Sequence, residues 1–339
     1  MPMAQVERRR SLRERVPYRV LSLLASGALF LAGMAIVYHR IKWREVAAVW
    51  TSLDPALFAF AALIYWLQYP INSYRLHRVI AWIADRAAGV PPFGFLFKLT
   101  CSAGFVAVAA PIGLAGDAAK IAALRVFANL SITDAARATL FDRVVGVQWI
   151  SIVGLVTLPA QAAVGVGSDI LIAQLLIFAG LLAGVGVLLL LPHALALIRH
   201  DFVAKLARVF AGYHAILSPQ RSAIQLVIAL LNVLSAWGAL YLLLRAAGLT
   251  SNPWLVAGFI PLLQLVNSLP FLYMGWGGRE LAMAATLGAT GSLTPSETLA
   301  VSIAWGVVLI ITGAVNGAFM LGDWQIARPG PEPRDERNS

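Results

Sequence analysis

Residues 170–191, ILIAQLLIFAGLLAGVGVLLLL, decide the class of this protein, because they form a long apolar run without a charged side chain. A helix of about 20 residues is long enough to cross roughly 30 Å of bilayer hydrocarbon. The run therefore predicts a membrane-spanning helix, in which the bilayer replaces water as the solvent around the side chains.

The rest of the sequence has the same character, with 60% apolar and only 12% charged residues, against about 25% charged residues in soluble domains. The sequence predicts an all-α polytopic membrane protein with about six full transmembrane helices. Besides residues 170–191, the predicted crossings are Tyr18–Tyr38, Asp54–Ile71, Val144–Gln161, Ser222–Leu244 and Thr298–Leu321. The predicted divisions are a basic N-terminus at 1–17, an integral membrane domain at 18–322 and a disordered polar tail at 323–339.

The distribution of basic residues predicts the orientation of these helices. Six arginines precede the first apolar run, whereas residues 161–168 contain no Lys or Arg. Because cytoplasmic loops are enriched in Lys and Arg, both termini are expected in the cytoplasm, with the chain in the inner (plasma) membrane. Counting crossings then requires residues 72–137 to enter and leave from the cytoplasmic side.

Two apolar segments are interrupted. The first, residues 99–116, is broken by Pro111, Gly113 and Gly116 and is followed by an amphipathic piece at 117–130. It is predicted to form a re-entrant hairpin or two short crossings. The second, residues 255–272, is predicted to break at Pro261 and Pro270. Interrupted segments in corresponding positions of two halves, with opposite orientation, predict an inverted repeat that lines a binding site.

The first segment ends in a group of residues suited to binding an anion. Gly116, Asp117 and Lys120 lie where a flexible break gives way to a helix. Free N–H groups and the helix dipole favour a negative charge there, such as a lipid phosphate. The simpler alternative is a tight turn at Gly116, an ordinary N-cap at Asp117 and a lysine that reaches the membrane interface.

The second segment repeats this arrangement. Gly277 and Gly278 are followed at once by Arg279 and Glu280, and the arginine fork suits a phosphate group. In the alternative interpretation, Arg279 and Glu280 form an external anchor that faces water, or they pair with each other's neighbours, and the glycines only allow helices to pack closely.

Three more charged residues lie close to predicted crossings. Asp142 and Arg143 are neighbours at the predicted start of a helix. They point about 100° apart, so each is expected to have its partner elsewhere. Alternatively, Arg143 is a cytoplasmic anchor and Asp142 stabilises a helix N-terminus. Arg75 follows the second crossing, and anchoring at the interface is its simpler role.

Several classes of function are not supported by the sequence. The net charge of +10 comes from bases at helix ends and in short loops, so nucleic-acid binding is not expected. The single cysteine, Cys101, and scattered histidines predict no metal site, and no motif calls for another cofactor. Residues 202–217 have a helical apolar pattern with basic residues on the other face, which predicts a helix lying on the membrane surface.

Taken in order, four motifs carry a resemblance to a known family. They are Asn72-Ser-Tyr-Arg75, Pro111 to Lys120, Leu140-Phe-Asp142-Arg143-Val-Val-Gly146 and Gly277-Gly278-Arg279-Glu280. With them, the chain from about Leu21 to Leu321 resembles the flippase-like family typified by the transmembrane region of lysylphosphatidylglycerol synthase.

The resemblance implies a protein that handles lipids, since members of that family are thought to move aminoacylated phosphatidylglycerol, and relatives are linked to hopanoids and lipid-linked sugars. The soluble synthase domain of two-domain members is not expected here, so the chain is not expected to make lysyl-lipid itself. The implied function is translocation of an anionic phospholipid, a hopanoid-type lipid or a lipid-linked headgroup between leaflets.

Two alternatives stay open on the sequence alone. One is a membrane enzyme, or a partner of a soluble or membrane biosynthetic enzyme, that acts on a lipid-linked substrate with Asp117 and Glu280 as acid and base groups. The other is a scaffold that docks a synthase through the surface helix around Lys205. In the scaffold, Arg279 would be dispensable.

Overall fold

The computed structural model describes residues 42–83, 89–110, 114–195, 213–268, 275 and 277–320, and the regular structure within them is helical throughout. The α-helices are α1 Trp43–Thr51, α2 Pro55–Trp66, α3 Gln68–Ile83, α4 Phe93–Ala109, α5 Ala115–Phe127, α6 Ile132–Ala163, α7 Ser168–Leu195, α8 Pro219–Ala246, α9 Pro253–Ser268, α10 Gly278–Met283 and α11 Pro295–Asn316. A π-helical turn at Ala284–Gly288 and 3₁₀ turns at Tyr213–Ile216 and Gly317–Met320 complete the set.

Four of the described helices, α6, α7, α8 and α11, are long and apolar enough to cross a membrane. A fifth crossing is added if α1 and the continuous pair α2–α3, which meet at a bend of 89°, count as one broken span. An all-α polytopic membrane fold, as the sequence predicts, is therefore confirmed.

Some predicted segments lie outside the described residues. They are the basic N-terminus at 1–17, the first predicted crossing Tyr18–Tyr38 and the polar tail at 323–339. Most of the predicted surface helix at 202–217 also lies outside them, and only its last residues are described, from Tyr213 onward. The side of the membrane on which each terminus lies stays a prediction.

Local sequence explains where two of the helices begin. Asp54 caps α2 by accepting hydrogen bonds from the backbone N–H groups of Ala56 and Leu57, at 2.8 and 3.1 Å, with Pro55 at the first helical position. Before α11, the Thr294 and Glu297 side chains each accept a hydrogen bond from the other's backbone N–H. Each such cap stabilises its helix by about 1 kcal/mol.

The longest helix begins earlier than the sequence analysis predicted. α6 starts at Ile132 and not near Asp142, and Ser131 caps it by accepting a hydrogen bond from the Asp134 N–H at 3.1 Å. Asp142 and Arg143 therefore lie well inside a helix. The interpretation of Asp142 as a charge that stabilises a helix N-terminus is wrong.

The helix that carries Arg75 continues further than predicted. The second crossing was expected to end at Ile71, but the backbone hydrogen bond from Ile71 N–H to Leu67 O, 3.3 Å, carries α2 over into α3. Pro70, the third residue of α3, has no N–H to donate, so the run of backbone hydrogen bonds is one short at this junction. Arg75 is therefore in the middle of α3, and not at a helix end as the anchoring interpretation requires.

Both predicted interruptions are present. α4 ends at Ala109 and α5 begins at Ala115, while α9 ends at Ser268 and α10 begins at Gly278. Pro261 does not break the chain as predicted, because it lies inside α9; proline is tolerated in membrane helices when neighbouring groups satisfy the freed carbonyl. α5 is only 13 residues long, or about 20 Å, which is shorter than the hydrocarbon layer.

The described helices pack around four apolar cores, of which two hold most of the fold together. The larger core lies among α2, α8, α9 and α11 and includes the fully buried Trp305, Phe259 and Leu240. A smaller core, with Leu76, Leu99 and Leu124, holds α3, α4 and α5 together. α6 contacts α3, α5, α7 and α9. This position brings its charged residues against the helices of both broken segments.

Candidate functional site

Asp142 is the centre of a buried ion cluster. Asp142 is only 2% exposed, and its Oδ1 accepts a hydrogen bond from Arg75 Nε at 2.7 Å. Lys120 Nζ lies 3.6 Å from the other carboxylate oxygen. The three side chains come from α3, α5 and α6, so one carboxylate ties three helices together through two cations.

Gly146 gives the Arg75 guanidinium room beside Asp142. It lies one turn after Asp142 on α6, and the Arg75 guanidinium lies over its backbone. A Cβ atom at position 146 would be 3.1 Å from Arg75 Nη1 and 3.3 Å from Cζ, which is tighter than most contacts of real Cβ atoms. A side chain there would push the guanidinium away from α6.

Arg143 connects the two broken segments. It forms an ion pair with Asp117 in the first turn of α5, and its Nη1 donates a hydrogen bond to the Ser268 carbonyl oxygen, 3.1 Å away, at the end of α9. Asp142 and Arg143 thus have different partners on different helices, as their positions on the helix require. The interruption after α4 and the one after α9 meet at this arginine.

The structure contradicts the simpler interpretations of Gly116, Asp117 and Lys120. Leu114, and not Asp117, is the N-cap residue of α5, and Asp117 turns its carboxylate to Arg143. The Lys120 side chain is only 15% exposed and is paired with Asp142, so it does not reach out to the interface. Gly116 lies within the first turn of α5 and not in a tight turn before it.

Gly116 lets α5 lie directly against α4. A Cβ atom at this position would be 2.7 Å from the backbone oxygen of Ala103 and 3.2 Å from the Ala107 Cβ. A backbone oxygen inside a helix cannot turn away as a side chain can. Close packing of the two arms of this hairpin therefore depends on glycine.

Replacing Gly116 with alanine is expected to lower the free energy of unfolding by about 1–3 kcal/mol, because the added methyl group forces α4 and α5 apart. Thermal unfolding of the detergent-solubilised protein measures the change. Gly184→Ala is the matched control, since a Cβ at Gly184, in α7, meets nothing within 4 Å. The control should be neutral or more stable, by up to about 1 kcal/mol. Equal stability of the two variants would contradict the packing argument.

The second segment forms a separate cluster around Arg279, which is fully buried. Arg279 Nε donates to Ser302 Oγ at 3.0 Å, and its Nη2 donates to Glu280 Oε1 at 3.0 Å. Ser302 Oγ also donates to Glu280 Oε1 at 2.7 Å, and the Gly277 N–H donates to Glu280 Oε2 at 2.6 Å. These bonds fix the start of α10 against α11.

The glycines before α10 shape the turn. Gly277 has a φ of 83° and Gly275 a φ of 75°, a left-handed conformation that glycine adopts without strain. Gly278 is the first residue of α10. Because Arg279 is fully buried and donates to protein groups, the interpretation of this segment as an external anchor facing water is wrong. In this conformation Arg279 holds the start of α10 in place after the interruption.

Sequence analysis missed Ser302, Gln225 and Asn232. Each lies inside a predicted crossing, and each is at least nine-tenths buried within the described residues. The signal was available, because polar side chains inside an apolar membrane run usually face other helices or a functional cavity. Metal chemistry has no support in the described part of the chain, where no three His, Cys, Asp or Glu side chains come together.

The family model described as "Lysylphosphatidylglycerol synthase TM region" matches residues 20–317. A comparison with curated proteins finds no match. The matched range contains both broken segments, both charge clusters and all the helices that the structure describes as long enough to cross a membrane. The chain is therefore a multi-pass membrane protein that belongs to the family of lysylphosphatidylglycerol synthase transmembrane regions.

Proposed function

We propose that this protein binds a lipid and moves it between the two leaflets of the membrane. The observation that supports the proposal most directly is the charged region of α6, in which the ion cluster at Asp142 adjoins the Arg143–Asp117 pair, where the two broken segments meet. Arg75, Lys120 and Arg143 contribute three positive charges, and Asp117 and Asp142 contribute two negative charges, which leaves one net positive charge. Ionisable residues inside a membrane protein commonly mark a pathway for substrate.

The energetics explain why such a cluster suits lipid transport. A charged headgroup costs many kcal/mol to move through hydrocarbon, and a polar path between helices removes most of that cost. Acyl chains meet no such barrier and can stay in lipid. A net positive cluster at the meeting point of two hairpins favours an anionic headgroup, with Arg143, whose side chain is 35% exposed, as its most accessible charge.

The enzyme alternative has weaker support. It requires Asp117 and Glu280 as acid and base groups, but both carboxylates already pair with a neighbouring arginine. We therefore propose transport and not catalysis, and we propose no cofactor. We also propose an inner-membrane location, and the distribution of basic residues supports a cytoplasmic side for both termini.

Leaflet exchange of tail-labelled fluorescent lipids in proteoliposomes tests the proposal. Wild-type protein is expected to accelerate exchange of an anionic phospholipid, and Arg143→Gln is expected to reduce that rate by about tenfold or more, equivalent to at least 1.4 kcal/mol. Arg143→Gln removes the charge that both segments share. Because Arg143 also contacts Asp117 and Ser268, the unfolding temperature of the variant is measured beside its exchange rate.

Arg137→Gln is the matched control, because Arg137 lies on the same helix and pairs with Asp134 one turn away. Its exchange rate is expected to match that of the wild type. No exchange of anionic, zwitterionic or polyprenyl-linked lipids by folded wild-type protein would sink the transport proposal. Support would then pass to the enzyme partner or scaffold.

A further inference from the structure

Carboxamide side chains connect α3, α8 and α9 inside the membrane domain. Asn232 of α8 donates from its Nδ2 to Asn72 Oδ1 of α3 at 3.2 Å. Gln264 of α9 donates from its Nε2 to the backbone oxygen of Asn232 at 3.1 Å. Asn72 lies one helical turn before Arg75 on α3, so these amides begin beside the ion cluster at Asp142.

Two further amides extend this connection in opposite directions. Gln225 lies two helical turns before Asn232 on the same face of α8, and both line a small pocket together with Arg75. Asn267 lies one turn after Gln264 on α9, and a Cβ atom on Gly275 would collide with its Oδ1. Gly275 belongs to the interruption between α9 and α10. We call this set the amide line, with Gln225, Asn232, Asn72, Gln264 and Asn267 as its members.

The amide line contains buried polar atoms without partners. Gln225 is 1% exposed, and within the described part of the chain neither its amide nitrogen nor its amide oxygen has a hydrogen-bond partner. The same holds for Asn232 Oδ1, in a residue that is 4% exposed, and for the buried atoms Gln264 Oε1 and Asn267 Oδ1. Folded proteins satisfy nearly all such atoms with protein groups or with ordered water.

The orientation of two of these amides is fixed by their nitrogens. Asn232 Nδ2 also donates to Ile228 O at 3.1 Å, and Gln264 Nε2 donates to a backbone carbonyl as well. Turning either amide around would place its oxygen against a carbonyl and lose those bonds. The free atoms of Asn232 and Gln264 are therefore oxygens, which need a hydrogen donor. Gln225 needs both a donor and an acceptor.

Size and charge restrict the group that can supply these bonds. The pocket at Gln225 and Asn232 has about 10 Å³ of free space, which is close to what one water molecule needs. The Arg75 guanidinium in the pocket wall disfavours a cation. Water fits the space, carries no charge, and both donates and accepts.

We propose that bound water fills the amide line and forms a hydrated path from the ion cluster to the interruption between α9 and α10. Water molecules bind Gln225 and Asn232 at one end and Gln264 and Asn267 at the other. A charged group costs much less to hold beside water than in hydrocarbon. The path therefore gives polar surroundings to the region between the two broken segments. The inference concerns water alone and does not depend on which lipid is moved.

Radiolytic footprinting in water labelled with heavy oxygen tests the first end of the path. Hydroxyl radicals formed from bound water oxidise the side chains next to it, and Trp149 lines the pocket at Gln225. Trp149 is expected to take up the label in the wild type and to lose it in Gln225→Leu, because the water then loses its bonds to the amide. Gln220→Leu, an exposed position on the same helix, is the control and should keep the label. Equal labelling of Trp149 in all three proteins would overturn the proposal.

The sign of a stability change gives an independent test. If water satisfies the Gln225 amide, Gln225→Leu removes good hydrogen bonds, and its unfolding temperature should fall below that of Gln220→Leu. If the pocket is dry, the same change removes two unpaired polar atoms, and the unfolding temperature should rise. A rise therefore contradicts bound water at this site.

A crystal structure grown from a lipidic mesophase, with ordered water resolved, tests the other end. Density for water is expected within hydrogen-bond distance of Gln264 Oε1 and Asn267 Oδ1 as well as at Gln225. Water at Gln225 alone would show an isolated site and overturn the path. None of these measurements uses lipid exchange, so failure of the path leaves the transport proposal standing, and failure of transport leaves the path standing.

Discussion

Replacing Asp142 with asparagine is expected to lower the free energy of unfolding by about 3–5 kcal/mol, because the change leaves buried cations without their counter-ion. Asp142 is 2% exposed and holds Arg75 and Lys120 in place from two other helices. Since α3, α5 and α6 meet at this carboxylate, their packing should loosen together. Thermal unfolding in detergent, followed by size-exclusion chromatography, measures the loss.

Asp134→Asn is the control for this prediction. Asp134 lies on the same helix, and its ion pair with Arg137 is partly exposed, with 41% of the Asp134 side chain and 23% of the Arg137 side chain accessible. A pair this accessible to solvent contributes about 0–1 kcal/mol. Adding Arg75→Met to Asp142→Asn should restore part of the stability by removing one of the unpaired cations. If the two single variants were equally stable, Asp142 would not hold the helices together.

Replacing Arg279 with methionine is expected to cost about 3–5 kcal/mol, because Glu280 then loses its counter-ion inside the protein. Arg279 is fully buried and donates to both Glu280 and Ser302. Without it, the turn before α10 should detach from α11. Unfolding temperature and the protection of the 275–290 segment from hydrogen exchange both report this change.

Arg245→Met is the control, because Arg245 is an exposed arginine in the last turn of α8. Its replacement should change the free energy of unfolding by less than about 0.5 kcal/mol. In the double variant Arg279→Met/Glu280→Gln, the loss should be smaller than in Arg279→Met alone, since no charge is left without a partner. If Arg279→Met were as stable as Arg245→Met, Arg279 would not hold the start of α10 against α11.

The crossings were predictable because hydropathy depends on length and composition alone. Five of the six predicted crossings correspond to described helices, namely α2–α3, α6, α7, α8 and α11, and the sixth lies outside the described residues. The ends were harder to predict. Charged residues were taken as helix ends, whereas Asp142 and Arg143 are internal to α6 because other helices neutralise them. Ser131 followed by Asp134 was the sequence signal for the true start.

The site was only partly predictable. The charged residues could be selected, since ionisable groups near membrane segments are uncommon and require a reason. Their pairing could not, because it depends on how α3, α5 and α6 are placed in space. Arg75 looked like an anchor in the sequence, and its partner is 67 positions away along the chain. The amide of Gln225 was overlooked because a single polar residue hardly changes the hydropathy of a long apolar run.

Gly146 and Arg75 limit which substitutions each position can accept during evolution. The Arg75 Nη1 atom lies 3.1 Å from where a Cβ atom of residue 146 would be. Any other amino acid at position 146 would therefore contact the Arg75 side chain first. Descendant sequences that keep arginine at position 75 should keep glycine at position 146, and those that lose the arginine should tolerate alanine or serine there. The two positions are expected to vary together in lineages that have replaced this ion pair.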